Sequence, residues 1–112
     1  MTKKRFDEAL WLMRRRDPQK AEDGFGLLRA LAAEHVADLV EAFRAESDRG
    51  LRAWLLELIG EARSPEALPV LVEHLDHDDE SLVSWAVRGL ELLDTKEART
   101  ALYRHRTNNA HN

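Results

Sequence analysis

Two interleaved series of helix-type apolar stripes run through this chain at one spacing, and that regularity restricts its fold more than any single motif does. Four segments carry apolar residues at i, i+3, i+4 and i+7, the positions that share one helix face. They are Phe6/Ala9/Leu10/Met13, Val36/Leu39/Val40/Phe43, Leu68/Leu71/Val72/Leu75 and the weaker Ala98/Ala101/Leu102/His105, with starts 30, 32 and 30 residues apart. The second series falls between them. Leu51, Leu55, Leu58, Ile59 and Ala62 line one side of a helix, and a shift of 31 lands on Leu82, Ala86, Gly89, Leu90 and Leu93. The same shift carries Trp54 onto Trp85 and Glu66-Ala67 onto Glu97-Ala98, while the reverse shift gives the decayed copy Lys20, Gly24, Leu27, Leu28 and Leu31. The unit is a helical hairpin of about 31 residues, and such hairpins bury their apolar stripes by stacking.

The breaks agree with this phase. Asp17-Pro18 and Ser64-Pro65 each offer a capping oxygen followed by proline at the first helical position, and Ser47-Asp48 and Asp78-Asp79 supply further caps. Gly60 is expected at a helix C-terminus. The pattern predicts helices near 4–15, 18–32, 35–46, 49–62, 65–76, 80–93 and 96–106, in one domain over 1–106, with a flexible tail over 107–112.

Leu51-Arg52, Ile59-Gly60 and Ser64-Pro65-Glu66-Ala67-Leu68-Pro69, followed by Leu71, resemble the short bacterial HEAT-like repeat, whose pattern runs Val-Arg, Ala, Leu-Gly, Asp-Pro, Ala and Leu. Leu55 stands where that pattern has Ala. In the next copy Val83 replaces Arg and Glu91 replaces Gly, while Leu82, Ala86, Leu90 and Glu97-Ala98 are kept. The resemblance holds over 48–102 and is only periodic over 5–47. It implies an all-α, right-handed α-solenoid of antiparallel hairpins: three repeats and a terminal helix, with 18–32, 49–62 and 80–93 lining the concave side. Partner-binding candidates on that side are Phe25, Leu56 and Val87, bordered by Arg52 and Val83, by Glu57 and Arg88, and by Arg29 and Glu91. Packing between repeats is the competing role for the apolar three, and for Trp54 and Trp85. Trp11 lies off its helix's apolar face and is expected to be exposed.

Composition narrows the function. With no cysteine, the chain has neither disulfides nor thiolate metal sites. Residues 1–20 hold seven Lys/Arg against three acids, 21–98 hold seven against eighteen, and the last fourteen hold three against none. A mixed rather than basic inner row disfavours nucleic acid, and the basic N-terminal end is read as a solvated cap. The opening residues do not read as a signal peptide and no run of about 18 apolar residues exists, so a cytoplasmic protein is expected.

His74, Asp76, His77, Asp78, Asp79 and Glu80 form the one dense set of metal-ligand types, but they straddle a helix end and a helix start, where capping explains them. HEAT-type iron hydroxylases use His-Glu pairs; this chain has only the reversed Glu34-His35 and Glu73-His74. Phycobilin lyases share the fold, yet no residue matches a motif for that role. The expectation is a non-catalytic, cofactor-free module that binds a protein with a basic surface. A toxin-neutralising immunity protein and a HEAT-fold enzyme or metal protein stand as alternatives. Ala98, Ala101 and Leu102 on the last, unpaired helix are expected to leave an apolar edge suited to a weak homodimer, the alternative to a monomer.

Overall fold

The computed structural model describes residues 2–110. Within them lie α1 (Thr2–Met13), α2 (Pro18–Leu31), α3 (Val36–Ala45), α4 (Arg49–Glu61), α5 (Leu68–Glu73), α6 (Glu80–Leu93) and α7 (Lys96–Ala110). Short 3-10 turns at Ala32–Glu34 and Pro65–Ala67 lead into α3 and α5, and no strand occurs among the described residues. The helices pair as α1/α2, α3/α4 and α5/α6; α4 lies closely along α6, α2 touches α4 more sparsely, and α7 closes the far end against α6 and α5. Stacking in one direction makes the molecule long, 44 × 25 × 20 Å. Its radius of gyration is 14.3 Å, against about 13 Å for a compact domain of this length.

The 31-residue period extends to single capping atoms. Asp17, Asp48 and Asp79 occupy the N-caps of α2, α4 and α6, each with its carboxylate accepting backbone N–H groups of the first turn. Ser64 and Thr95, again 31 apart, accept from the N–H of Glu66 and Ala98. Free helix-start N–H groups make these oxygens stabilising by about 1 kcal/mol each. The left-handed residues that end α4 and α6 also repeat: Arg63 has φ 52° and Asp94 φ 51°. The first connection has neither device. Ala32 stays right-handed, no side chain caps the segment, and the chain continues as a 3-10 turn.

Several sequence expectations shift. Gly60 is not a terminator: it lies buried within α4, and Arg63 takes the left-handed turn instead. A Cβ on Gly60 would stand 2.8 Å from the Cα of Gly89, and one on Gly89 would meet Leu71 and Gly60 at 2.8 and 3.0 Å. Both glycines are there for backbone contact between α4 and α6. Gly24 does the same for α1 and α2, where a Cβ would lie 2.5 Å from the Met13 nitrogen.

The helix expected over 65–76 is shorter and turned by one residue. Pro69 has no N–H to offer the Pro65 carbonyl, which takes the Leu68 N–H in a 3-10 bond instead. The buried set on this hairpin arm is Ala67, Val70, Leu71, His74 and Leu75, while Val72 is exposed. At the other end α7 runs to Ala110, past the expected stop at 106, because no Gly or Pro interrupts it. Met1 and the final tail residues 111–112 lie outside the described residues.

Candidate partner-binding face

A partner surface on a repeat stack consists of positions that the stack leaves uncovered. On the inner row, α2, α4 and α6, those positions repeat with the same period. Gln19, Glu22, Gly26 and Arg29 on α2 and Ser81, Ser84, Arg88 and Glu91 on α6 lie along this stripe, all of them exposed. On α4 the equivalent stripe is Gly50, Ala53 and Glu57, progressively covered by its neighbours until it ends at buried Gly60. Gly26, Gly50, Ala53, Ser81 and Ser84 keep this face low, and Trp54 and Trp85 stand on the adjoining flank. Near its C-terminal edge an open depression of about 410 Å³ is lined by Arg29, Glu61, Arg63, Arg88 and Leu92, drawn from all three inner helices and the turn after α4.

Of the residues that the sequence nominates for partner binding, Arg29, Glu57, Arg88 and Glu91 lie in the outward stripe. Arg29 bridges repeats, holding Glu61 at 2.9 Å and Glu57 at 3.6 Å while its guanidinium lies 4.8 Å from the Phe25 ring centre. Burial, with the nearby Glu61 charge second, pushes the Glu57 carboxyl above its ordinary range, against the pull of Arg29. Glu91 reaches Arg106 of α7 at 3.4 Å.

The others sit elsewhere. Leu56 is fully buried and is not a partner contact; a mid-stack helix is covered on its flanks as well as its apolar face. Arg52 turns away from this face, its guanidinium 4.4 Å from the Phe43 ring of α3. Phe25 is half-buried and tilts against Trp54 at 5.1 Å, joining α2 to α4, and Val83 and Val87 are also half-buried. Sequence reasoning missed Arg63, Glu61 and Leu92. The signal for Arg63 was its place 31 residues before Asp94, a residue type that tolerates left-handed backbone.

Charge pairing follows the repeat too. Lys3–Asp38, Arg14–Glu46, Arg29–Glu61, Arg44–Glu73 and Arg49–Asp79, at 2.8 to 3.2 Å, each join a cation in one repeat to an acid in the next. Hydrogen bonds within these pairs lower the Glu73 and Asp79 carboxyls, and His35 followed by Lys3 lowers Asp38. Solvent screens exposed pairs of this kind, so they tune register more than they hold the stack.

The histidine turn has a structural account. His74 is buried, donates Nδ1–H to the Val70 carbonyl at 2.8 Å and meets the Phe43 ring edge-on. His77 stacks on His74, and its Nδ1 accepts the Asp79 N–H at 3.0 Å. Among the described residues no three His, Asp or Glu side chains are gathered in a way that would hold a metal ion. Likewise, no described helix is long and apolar enough to cross a membrane. The apolar edge expected on α7 is absent: Ala98 and Leu102 are buried and Ala101 half-buried, because this helix turns them into the stack and leaves Tyr103 outside.

No curated protein and no solved structure matches the chain. The family model for HEAT repeats does match, over residues 36–111. Hairpin stack, repeating caps and this match agree, and the chain belongs to the HEAT-repeat family.

Proposed function

We propose that this chain is a non-catalytic protein-binding module that engages a partner with a basic surface through its inner-row face. HEAT repeats commonly serve as scaffolds for protein–protein contact, and stacked hairpins provide an extended face for it. The observation that carries the reading is how the inner-row cations are used. Of Lys20, Arg29, Arg49, Arg52 and Arg88, Arg29 and Arg49 are bridged to acids of the next repeat and Arg52 lies on Phe43. Lys20 and Arg88 remain beside Glu22, Asp23 and Glu80, with Glu91 held by Arg106, so the unpaired charge on this face is acidic by a small margin. Such complementarity chiefly accelerates association and selects partners.

The test is affinity isolation from the source organism at low and high salt, with wild type, Ser84→Trp and the double reversal Glu22→Lys/Asp23→Lys. Ser84→Trp raises a bulky ring from the low face and is expected to reduce recovery about tenfold. The reversal should weaken capture most at low salt. Recovery that is the same at both salts and indifferent to all three substitutions would sink the proposal. If the retained protein is a toxin, co-expression in cells then measures neutralisation directly.

A further inference from the structure

A second surface, at the opposite end of the repeat logic, has no part in that reading. Leu27, Leu58 and Gly89 are equivalent positions on α2, α4 and α6. Leu58 is fully buried and Gly89 is buried against Gly60 of the preceding repeat. Leu27 is 50% exposed. It opens into a groove of about 300 Å³ between α1 and α2, lined by Arg5, Glu8, Leu12, Leu27, Ala30 and Leu31. The position that later repeats fill with a neighbouring inner helix is open here.

We infer that this groove is a docking site for an acidic amphipathic helix of another protein. Shape comes from continuity: the equivalent surface of α6 is covered by a helix, α4, at backbone distance. Charge comes from the surroundings. Arg5 lines the groove, Lys4 is exposed on the same helix, and Arg15 and Arg16 are exposed at the hairpin turn, with Arg15 laid 4.6 Å from the ring centre of exposed Trp11. The strip itself is edged by Arg5 and Glu8, and with Lys4, Arg15 and Arg16 beyond it the surroundings are net basic, which selects a helix with leucines on one side and carboxylates beside them. A second copy stacked end to end fits poorly, since residues 1–20 and 99–112 are both net basic and would repel across the contact.

The probe is a labelled designed peptide of about 18 residues, five turns, with Leu at i, i+3, i+4 and i+7 and Glu flanking them, compared with a twin in which every Glu is Lys. Fluorescence anisotropy is expected to show the Glu peptide binding at least about tenfold more tightly than its twin. Leu27→Glu places a charge in the apolar strip and should weaken the Glu peptide by about tenfold or more. Leu27 is half exposed, so the variant is expected to keep its far-ultraviolet circular dichroism; Arg5→Glu, which is wholly on the rim, repeats the test without touching packing. Ser84→Trp should leave this binding unchanged, which separates it from the inner-row proposal. Equal binding of the two peptides, or indifference to both groove variants, overturns the inference. So does a concentration-dependent dimer, or sedimentation with phosphatidylglycerol vesicles, that Leu27→Glu abolishes, since either gives the groove a different occupant.

Discussion

The two seams of the inner row join equivalent helices by different physics. Between α4 and α6 the contact is backbone on backbone: Gly60 and Gly89 face each other with no room for a methyl group, and Leu71 closes over them. Between α2 and α4 the position equivalent to Gly60 is Arg29, so the helices touch more sparsely and are joined by longer side chains. Phe25 tilts on Trp54, and Arg29 spans to Glu57 and Glu61. Dense packing gives up dispersion and strain energy steeply when altered. Exposed ion pairs give up little. The C-terminal half should therefore be the rigid half of the stack and the first hairpin the more separable one.

The largest effect is expected from breaking the glycine seam. Gly60→Val forces a branched side chain into the Gly89 backbone and should cost about 2–3 kcal/mol by overpacking, read from urea denaturation. Gly26→Ala is the control: a Cβ there meets nothing within 4 Å, and removing a helical glycine should add about 0.5–1 kcal/mol. A Gly60→Val protein as stable as wild type would show that the seam yields and that the two seams do not differ in this way.

Phe25→Ala addresses the other seam. It deletes the Trp54 contact and the surface under Arg29, but the ring is only half buried, so the expected loss is about 2 kcal/mol rather than the larger cost of a fully buried phenylalanine. Hydrogen exchange should locate the change in α1 and α2, with α4 to α6 protected as before. Uniform loss of protection would mean that the two seams melt as one unit.

This contrast was only partly legible in the sequence. The repeat length, the hairpin order and the Asp17, Asp48 and Asp79 caps follow from spacing because each copy repeats the same local requirement. The glycine contact does not, since Gly60 and Gly89 are 29 residues apart and fall on non-equivalent positions of the 31-residue unit. Leu56 was misplaced for a related reason. Helical periodicity locates the centre of an apolar arc, but only the neighbours on both sides of a mid-stack helix decide how wide the covered arc is. The short α5 turned on one missing proline N–H, which shifts the stripe without changing its composition.

The polar part of the first seam is weaker still. A double-mutant cycle on Arg29→Ala and Glu61→Ala should give a coupling below about 1 kcal/mol that shrinks as salt is raised, because both groups are substantially exposed. A coupling that is larger and insensitive to salt would make this an ion pair that holds the seam, and would bring the two seams closer in strength.

Glu57 sharpens the comparison most finely, since its titration works against the first seam. Its pKa is raised above the ordinary 4.5 by burial and by Glu61. Below that value it is protonated in the folded and unfolded chain alike and costs nothing. As pH rises from there through the folded pKa, the unfolded chain ionises more readily, and stability is lost until both forms are charged. Glu57→Gln stays neutral throughout, so it should gain a few tenths of a kcal/mol at pH 7, offset in part by losing the 3.6 Å attraction to Arg29, and match wild type near pH 4. Asp79 runs the other way: its lowered pKa means that the stabilisation from Arg49 is present above 3.8 and fades as pH falls below it. Melting temperatures of wild type and Glu57→Gln measured from about pH 4 to pH 8 should diverge with rising pH, and parallel curves would show that burial does not penalise this carboxylate.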